Sequence, residues 1–173
     1  MASTDDLAAR IAGLCRLTGT FQLRSGRTAT TYFDKYRFEA DPGLLAEVAR
    51  RLAPLVPADT EILAGLELGG VPVATALSLE TGLPAAFVRK QAKEYGTAKL
   101  AEGADIAGKR VLVVEDIITT GGQVVMSTTD LRDRGADVRA VLCVIDRSDG
   151  DHSRLESASL DVHALFTSAD LVG

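Results

Sequence analysis

Residues 110–123 read Arg-Val-Leu-Val-Val-Glu-Asp-Ile-Ile-Thr-Thr-Gly-Gly-Gln, and this stretch constrains the fold more than any other. Its first part is an unbroken apolar run, the pattern of a strand buried on both faces in a parallel sheet. Glu115 and Asp116 stand where that strand should end, then come two hydroxyls and two glycines, and a helix begins after Gly122. In an open α/β sheet the carboxyl ends of the strands are where ligands bind. A loop entering a helix offers free N–H groups and the positive dipole end to an anion. Thr119 and Thr120 add hydroxyl donors, and Gly121 and Gly122 let the backbone close around a phosphate. The acids suit sugar hydroxyls or a hydrated magnesium ion a few ångströms away. A phosphorylated sugar satisfies both halves of the pattern. The stretch is not a Walker loop, lacking Gly-Lys-Ser/Thr, nor a dinucleotide fingerprint, lacking G-x-G-x-x-G. The plain alternative is a strand–turn–helix with an acidic turn.

The flanking chain repeats the strand–helix alternation. Residues 3–17 form an opening helix with Leu7, Ile11, Leu14 and Cys15 on one stripe and Gly19 marking its end. From Phe21 to Phe38 two strand-like runs flank a Ser25-Gly26 turn. This is either a hairpin with a small aromatic core or a lid that stacks on a flat ring and offers Arg24 or Lys35 to an anion. Asp41-Pro42 opens a second helix, by N-cap and N1 preference. Glu61 to Ala64 is a short strand, and Gly69-Gly70 forms a second glycine turn into a helix ended by Gly82. That turn is either a tight connection or a second anion loop. Ala85 to Arg89 is a strand, and Arg89, Lys90, Lys93 and Lys99 then crowd one stretch of an acidic protein. Such a run is either a solvated face or a mobile loop that neutralises a leaving diphosphate. Glu102 to Lys109 is a polar connector. The helix from Gly122 to Arg134 has Val125, Met126, Thr129 and Leu131 available for burial. Val138 to Asp146 and Val162 to Phe166 complete the strands, so the chain is α/β with a parallel sheet covered on both faces.

At 173 residues the chain fits one domain with a sizeable core. Its net charge of −5 argues against broad nucleic-acid binding. Cys15 and Cys143 sit among apolar neighbours without metal-ligand spacing, so they read as buried thiols. Neither His152 nor His163 lies in a motif, and both read as structural or surface residues. The N-terminus lacks a signal-peptide pattern and no apolar segment is long enough to span a bilayer, so the expected setting is the cytoplasm, without a membrane partner.

The 110–123 stretch resembles the signature of the type I phosphoribosyltransferases, which use 5-phosphoribosyl 1-diphosphate (PRPP). Three more segments resemble the orotate phosphoribosyltransferases. They are Phe87-Val-Arg-Lys-Gln-Ala-Lys-Glu-Tyr-Gly96 with Glu102-Gly103, Phe21-x-Leu-x-Ser-Gly-Arg with Tyr32-Phe33-Asp34, and Asp146-Arg147. The resemblance is collinear over most of the chain. It implies a mostly parallel twisted sheet flanked by helices, with residues 1–40 as a helix plus a small hood and 41–173 as the α/β core. It further implies that Glu115 and Asp116 hold the ribose hydroxyls and that Ile117, Ile118, Thr119, Thr120, Gly121, Gly122 and Gln123 wrap the 5-phosphate. Gly69 and Gly70 serve the diphosphate, with Arg89, Lys90, Lys93 and Tyr95 in the loop. Of these, Lys93, Arg89 and Asp116 carry the catalytic roles. Arg147, Thr119, Arg24, Tyr32 and Phe33 meet orotate. Mg²⁺ comes as the cofactor, held mainly by PRPP rather than by protein ligands, and a homodimer brings loop 89–100 to the neighbouring site.

Two positions depart from the family pattern. Tyr95 stands where many members have histidine, and Gly69 where many have lysine. The first removes an imidazole proton donor, and the second leaves the inner diphosphate contact to backbone amides. A purine or other base phosphoribosyltransferase and a non-catalytic PRPP-binding regulator are the competing readings. Arg147 favours a carboxylated base over a purine, and the intact cation loop favours an enzyme.

Overall fold

The computed structural model describes residues 4–23, 25–92 and 99–171. The apolar run becomes β6 (Arg110–Ile118), the centre of a six-stranded sheet. Its partners are β3 (Ile62–Leu66), β4 (Ala85–Val88), β5 (Ala101–Gly103), β7 (Asp137–Asp146) and β8 (Asp161–Thr167), in the order β5-β4-β3-β6-β7-β8. All neighbouring pairs are parallel except β4–β5. The helices α4 (Gly70–Thr81) and α5 (Gly122–Asp133) carry the crossovers on either side of β6, and the short α6 (Ser153–Ser157) joins β7 to β8.

Both faces of β6 are apolar because both are covered. Leu112 and Val114 pack with Leu7 and Ile11 of α1 (Thr4–Cys15), Val48 and Leu52 of α3 (Pro42–Leu52), and Leu77 of α4. Val111 and Val113 turn the other way, onto Val124 and Leu131 of α5 and Leu155 of α6. The same two-residue alternation sends Asp116 to the α3–α4 side. Asp41 caps α3 by accepting the Leu44 N–H at 2.9 Å, with Pro42 at the first helical position. Cys15 and Cys143 are both buried free thiols.

Several sequence expectations shift. The first helix ends at Cys15, and Gly19 lies inside β1 (Arg16–Gln22), where the pairing with β2 (Thr28–Phe33) changes register. A glycine at a bulge explains the misplaced stop. Glu102 and Gly103, expected in a polar connector, instead join Ala101 in pairing antiparallel with β4 at the sheet edge. The buried stripe of α5 is Val124, Ser127, Thr128 and Leu131; Val125 is half-buried, Met126 and Thr129 are exposed. The true face is therefore one residue round from the expected one.

Candidate active site

The acid pair and the loop after it sit at the carboxyl edge of the sheet. β6 runs two residues beyond the acids, through Ile118, whose carbonyl accepts the Arg147 N–H at 2.8 Å. Gly121 takes a φ of +72°, and a Cβ there would press on the Leu155 side chain at 2.9 Å. Its carbonyl accepts the Val125 N–H at 3.0 Å, starting α5. Among the described residues no acceptor takes the amides of Thr119, Thr120, Gly121 or Gly122. Four open donors at a helix N-terminus form a ready anion seat. Gln123 faces away from it, donating to Ser127 Oγ at 3.1 Å.

The acids are not equivalent. Asp116 is fully buried: Oδ1 accepts the Ile117 N–H at 2.6 Å, and Oδ2 meets Lys35 Nζ at 2.7 Å. Glu39, on the one-turn helix α2 (Tyr36–Glu39), is 8% exposed and aims Oε1 at the same place. Glu115 Oε1 accepts the Asp116 N–H at 3.0 Å. Burial, and then the neighbouring Asp116 carboxylate, push Glu39 and Glu115 each up to about 9. Burial also works against the Asp116 charge, but hydrogen bonds from Glu39, Glu115 and Lys35 outweigh it and hold that carboxyl below its usual range. Lys35 likewise stays charged: burial lowers it, and Asp116 more than compensates. At neutral pH the cluster is one anion, one cation and two neutral carboxyls, an arrangement a buried site tolerates.

The second glycine loop closes onto this cluster. A Cβ on Gly69 would overlap the Asp116 carboxylate and lie 2.9 Å from Glu39 Oε1, so the position is glycine by contact. Among the described residues, the amides of Gly69 and Gly70 are likewise untaken. Glu67 ties the loop to the next one, its Oε1 accepting the Lys90 N–H at 2.7 Å. Arg89 donates its N–H to Leu100 O at 2.9 Å and pairs with Glu102 at 3.8 Å. Lys90 is exposed. Lys93 and Tyr95 lie outside the described residues, as does Arg24.

Tyr32 and Phe33 project from β2 beside the crevice. The Arg147 guanidinium lies 5.8 Å from the Phe33 ring centre, and Phe21 packs on Tyr32 at 5.6 Å. Arg147, Phe33, Tyr32, Leu23 and Arg16 line a cavity of about 460 Å³. Arg147 also lines a second cavity, of about 320 Å³, with Thr119, Thr120 and Arg154. The turn carrying Arg147 is pinned by Asp146, whose carboxylate accepts the Ser148 N–H at 2.9 Å and meets His152 at 2.7 Å. Burial opposes the Asp146 charge, yet Ser148 and His152 hold its carboxyl below the usual range. His152 thus braces the turn that carries Arg147.

The structure gathers Glu115, Asp116, the 117–122 loop, Gly69, Gly70 and Arg147 at one sheet edge, with Tyr32 and Phe33 alongside. Sequence reasoning left Glu39 out and weighed Lys35 only as an anion contact. Both reach Asp116 from the hood, and no local sequence signal marks Glu39 for burial. Residues 38–163 match the family model described as the phosphoribosyl transferase domain. A curated relative from Nocardioides sp., an orotate phosphoribosyltransferase, is 58% identical over 95% of this chain and 92% of its own length. The Mycobacterium tuberculosis orotate phosphoribosyltransferase solved with Fe(III) dicitrate is similar with a TM-score of 0.86 at 34% identity, covering 98% of this chain and 99% of that one. The same enzyme solved with PRPP gives a TM-score of 0.83 at 32% identity, over 97% of this chain and 98% of that one.

Proposed function

The chain belongs to the phosphoribosyltransferase family, and from that premise we propose that it is an orotate phosphoribosyltransferase. It transfers the 5-phosphoribosyl group of PRPP to N1 of orotate, giving orotidine 5'-monophosphate and diphosphate. The observation that carries the reading is the placement of Arg147. One guanidinium borders both the aromatic cavity and the cavity at the Thr119–Thr120 loop, so a carboxylated base and a sugar phosphate meet across it.

In this reading the 5-phosphate takes the open amides of Thr119 through Gly122. Glu115 and Asp116 receive the ribose hydroxyls. The diphosphate lies along Gly69 and Gly70, with Arg89, Lys90 and Lys93 neutralising it. Orotate rests by Phe33 and Tyr32, its carboxylate on Arg147, with Arg24 from the same hood. As the C1–oxygen bond breaks, the pair of electrons leaves with diphosphate, C1 becomes cation-like, and orotate N1 closes on it while the N1 proton passes to the departing diphosphate. The chain supplies position, countercharge and shelter from water rather than a covalent nucleophile. Among the described residues no group of three or more His, Cys, Asp or Glu is placed to hold a metal ion. Mg²⁺ would be held mainly by PRPP, with Glu115 and Asp116 the nearest protein carboxyls, and would supply countercharge to the departing diphosphate. A homodimer in the cytoplasm completes the proposal, loop 89–100 serving the neighbouring site. No described helix is long and apolar enough to cross a membrane.

The test is PRPP-dependent loss of orotate absorbance with purified protein and Mg²⁺, beside hypoxanthine and uracil as competing bases. Consumption of orotate alone is expected. Consumption of hypoxanthine alone overturns the assignment.

A further inference from the structure

Asp116 has one oxygen to offer a ligand, and that oxygen is occupied. Oδ1 is committed to the Ile117 N–H at 2.6 Å. Oδ2 carries Lys35 Nζ at 2.7 Å, and Glu39 Oε1 crowds the same space beside Gly69 that a Cβ there would need. Neither of these buried carboxyl oxygens meets a hydrogen-bond donor from the amide or hydroxyl groups around it. Two carboxyls crowded at one glycine do not readily both hold charge, and burial with the neighbouring Asp116 pushes Glu39 up to about 9, so Glu39 is the one that keeps its proton. The Lys35 side chain is 32% exposed while that of Asp116 is wholly covered, so the ammonium is the solvent-facing member of the pair.

We propose that Lys35 and Glu39 are positioning residues for the pentose acid: Lys35 holds Asp116 charged while the site is empty and cedes Oδ2 to a ribose hydroxyl, and Glu39 supplies the proton that steadies the same oxygen throughout. This rests on the reading of Asp116 as a ribose acid. The displaced ammonium emerges on the side of the Gly69–Gly70 turn, where the incoming diphosphate brings negative charge and the turn itself has no cation. A buried carboxylate stripped of its countercharge takes up a proton or pays heavily for staying ionised. Without Lys35, Asp116 therefore greets the sugar as a poorer acceptor. Without the Glu39 proton, two carboxylates would face each other at Gly69 and one would turn away.

Steady-state kinetics on the whole chain with Mg²⁺ test this. Lys35→Met, similar in length and uncharged, should raise the KM for PRPP about tenfold or more, the worth of a charge-assisted contact, while the orotate KM stays within about twofold. Lys35→Arg should recover part of the loss. Glu39→Leu should shift PRPP in the same direction, and Glu39→Gln, which keeps an N–H donor, should regain part of it. Unchanged PRPP kinetics in Lys35→Met overturn the proposal, and so does an equal loss for both substrates, which would mean general distortion. A wild-type protein that does not consume orotate sinks the functional reading instead. Calorimetric titration with ribose 5-phosphate then decides the point: weaker binding by Lys35→Met than by wild type supports the positioning role, and equal binding refutes it.

Discussion

Single side chains decide what the crevice can hold. Gly69 has no room for a methyl, because the Asp116 carboxylate fills the space a Cβ needs. Gly69→Ala should therefore displace the acid and cut kcat/KM for PRPP by about a hundredfold, as a misplacement near 1 Å does. The cost to stability should be about 1–3 kcal/mol of overpacking, read by denaturant titration. Arg147 gives the complementary case. Its guanidinium lies over Phe33 and touches both cavities. Arg147→Gln should raise the orotate KM by about tenfold to a hundredfold, from loss of a charge-assisted pair, with a smaller effect on PRPP. At this scale the sequence is candid about residues that are neighbours in the chain and silent about those that are not. Glu115 through Gly122 could be assigned together because one strand and one loop carry them. Glu39 was illegible, since its partner Asp116 belongs to a strand far along the chain and a lone glutamate after a phenylalanine carries no motif.

Among the elements, strong periodicity was readable and weak periodicity was not. The apolar run before Glu115 announced a doubly covered strand because both of its faces are apolar, although the strand continues past the acids to Ile118. Helix α5 was placed well but turned wrongly. Its valines occupy adjacent positions, and its inner face is completed by Ser127 and Thr128, which a polarity pattern assigns to solvent. The corrected face is testable: Leu131→Ala should cost about 2–5 kcal/mol in chemical denaturation, whereas Met126→Ala, on the exposed side, should stay within about 0.5 kcal/mol of wild type. The edge strand β5 and the short α6 escaped notice for another reason. Three residues pairing with β4, and five closing a turn beneath β8, gain their form from neighbours already in place rather than from local preference.

At the level of the whole molecule, hood, sheet and both glycine turns meet on one buried charge. That convergence makes stability depend on pH in a definite sense. Glu39 and Glu115 keep their protons to about 9 when folded, against an ordinary value of 4.5. The unfolded chain sheds those protons first, so folding stability present below that ordinary range is progressively lost as pH rises toward about 9. Asp116 acts in the opposite sense, its stabilisation fading only as acid titrates it below its ordinary range. Melting temperatures taken across the interval should fall with rising pH, and Glu39→Gln should flatten the slope by removing one of the two proton-keeping groups. A wild-type profile that rises through this interval would contradict the assignment. The tight seat of Gly69 also limits where a countercharge can come from. The first carbon of any side chain at position 69 would run into the Asp116 carboxylate and crowd Glu39, so a cation for a bound polyanion has to reach this turn from another element.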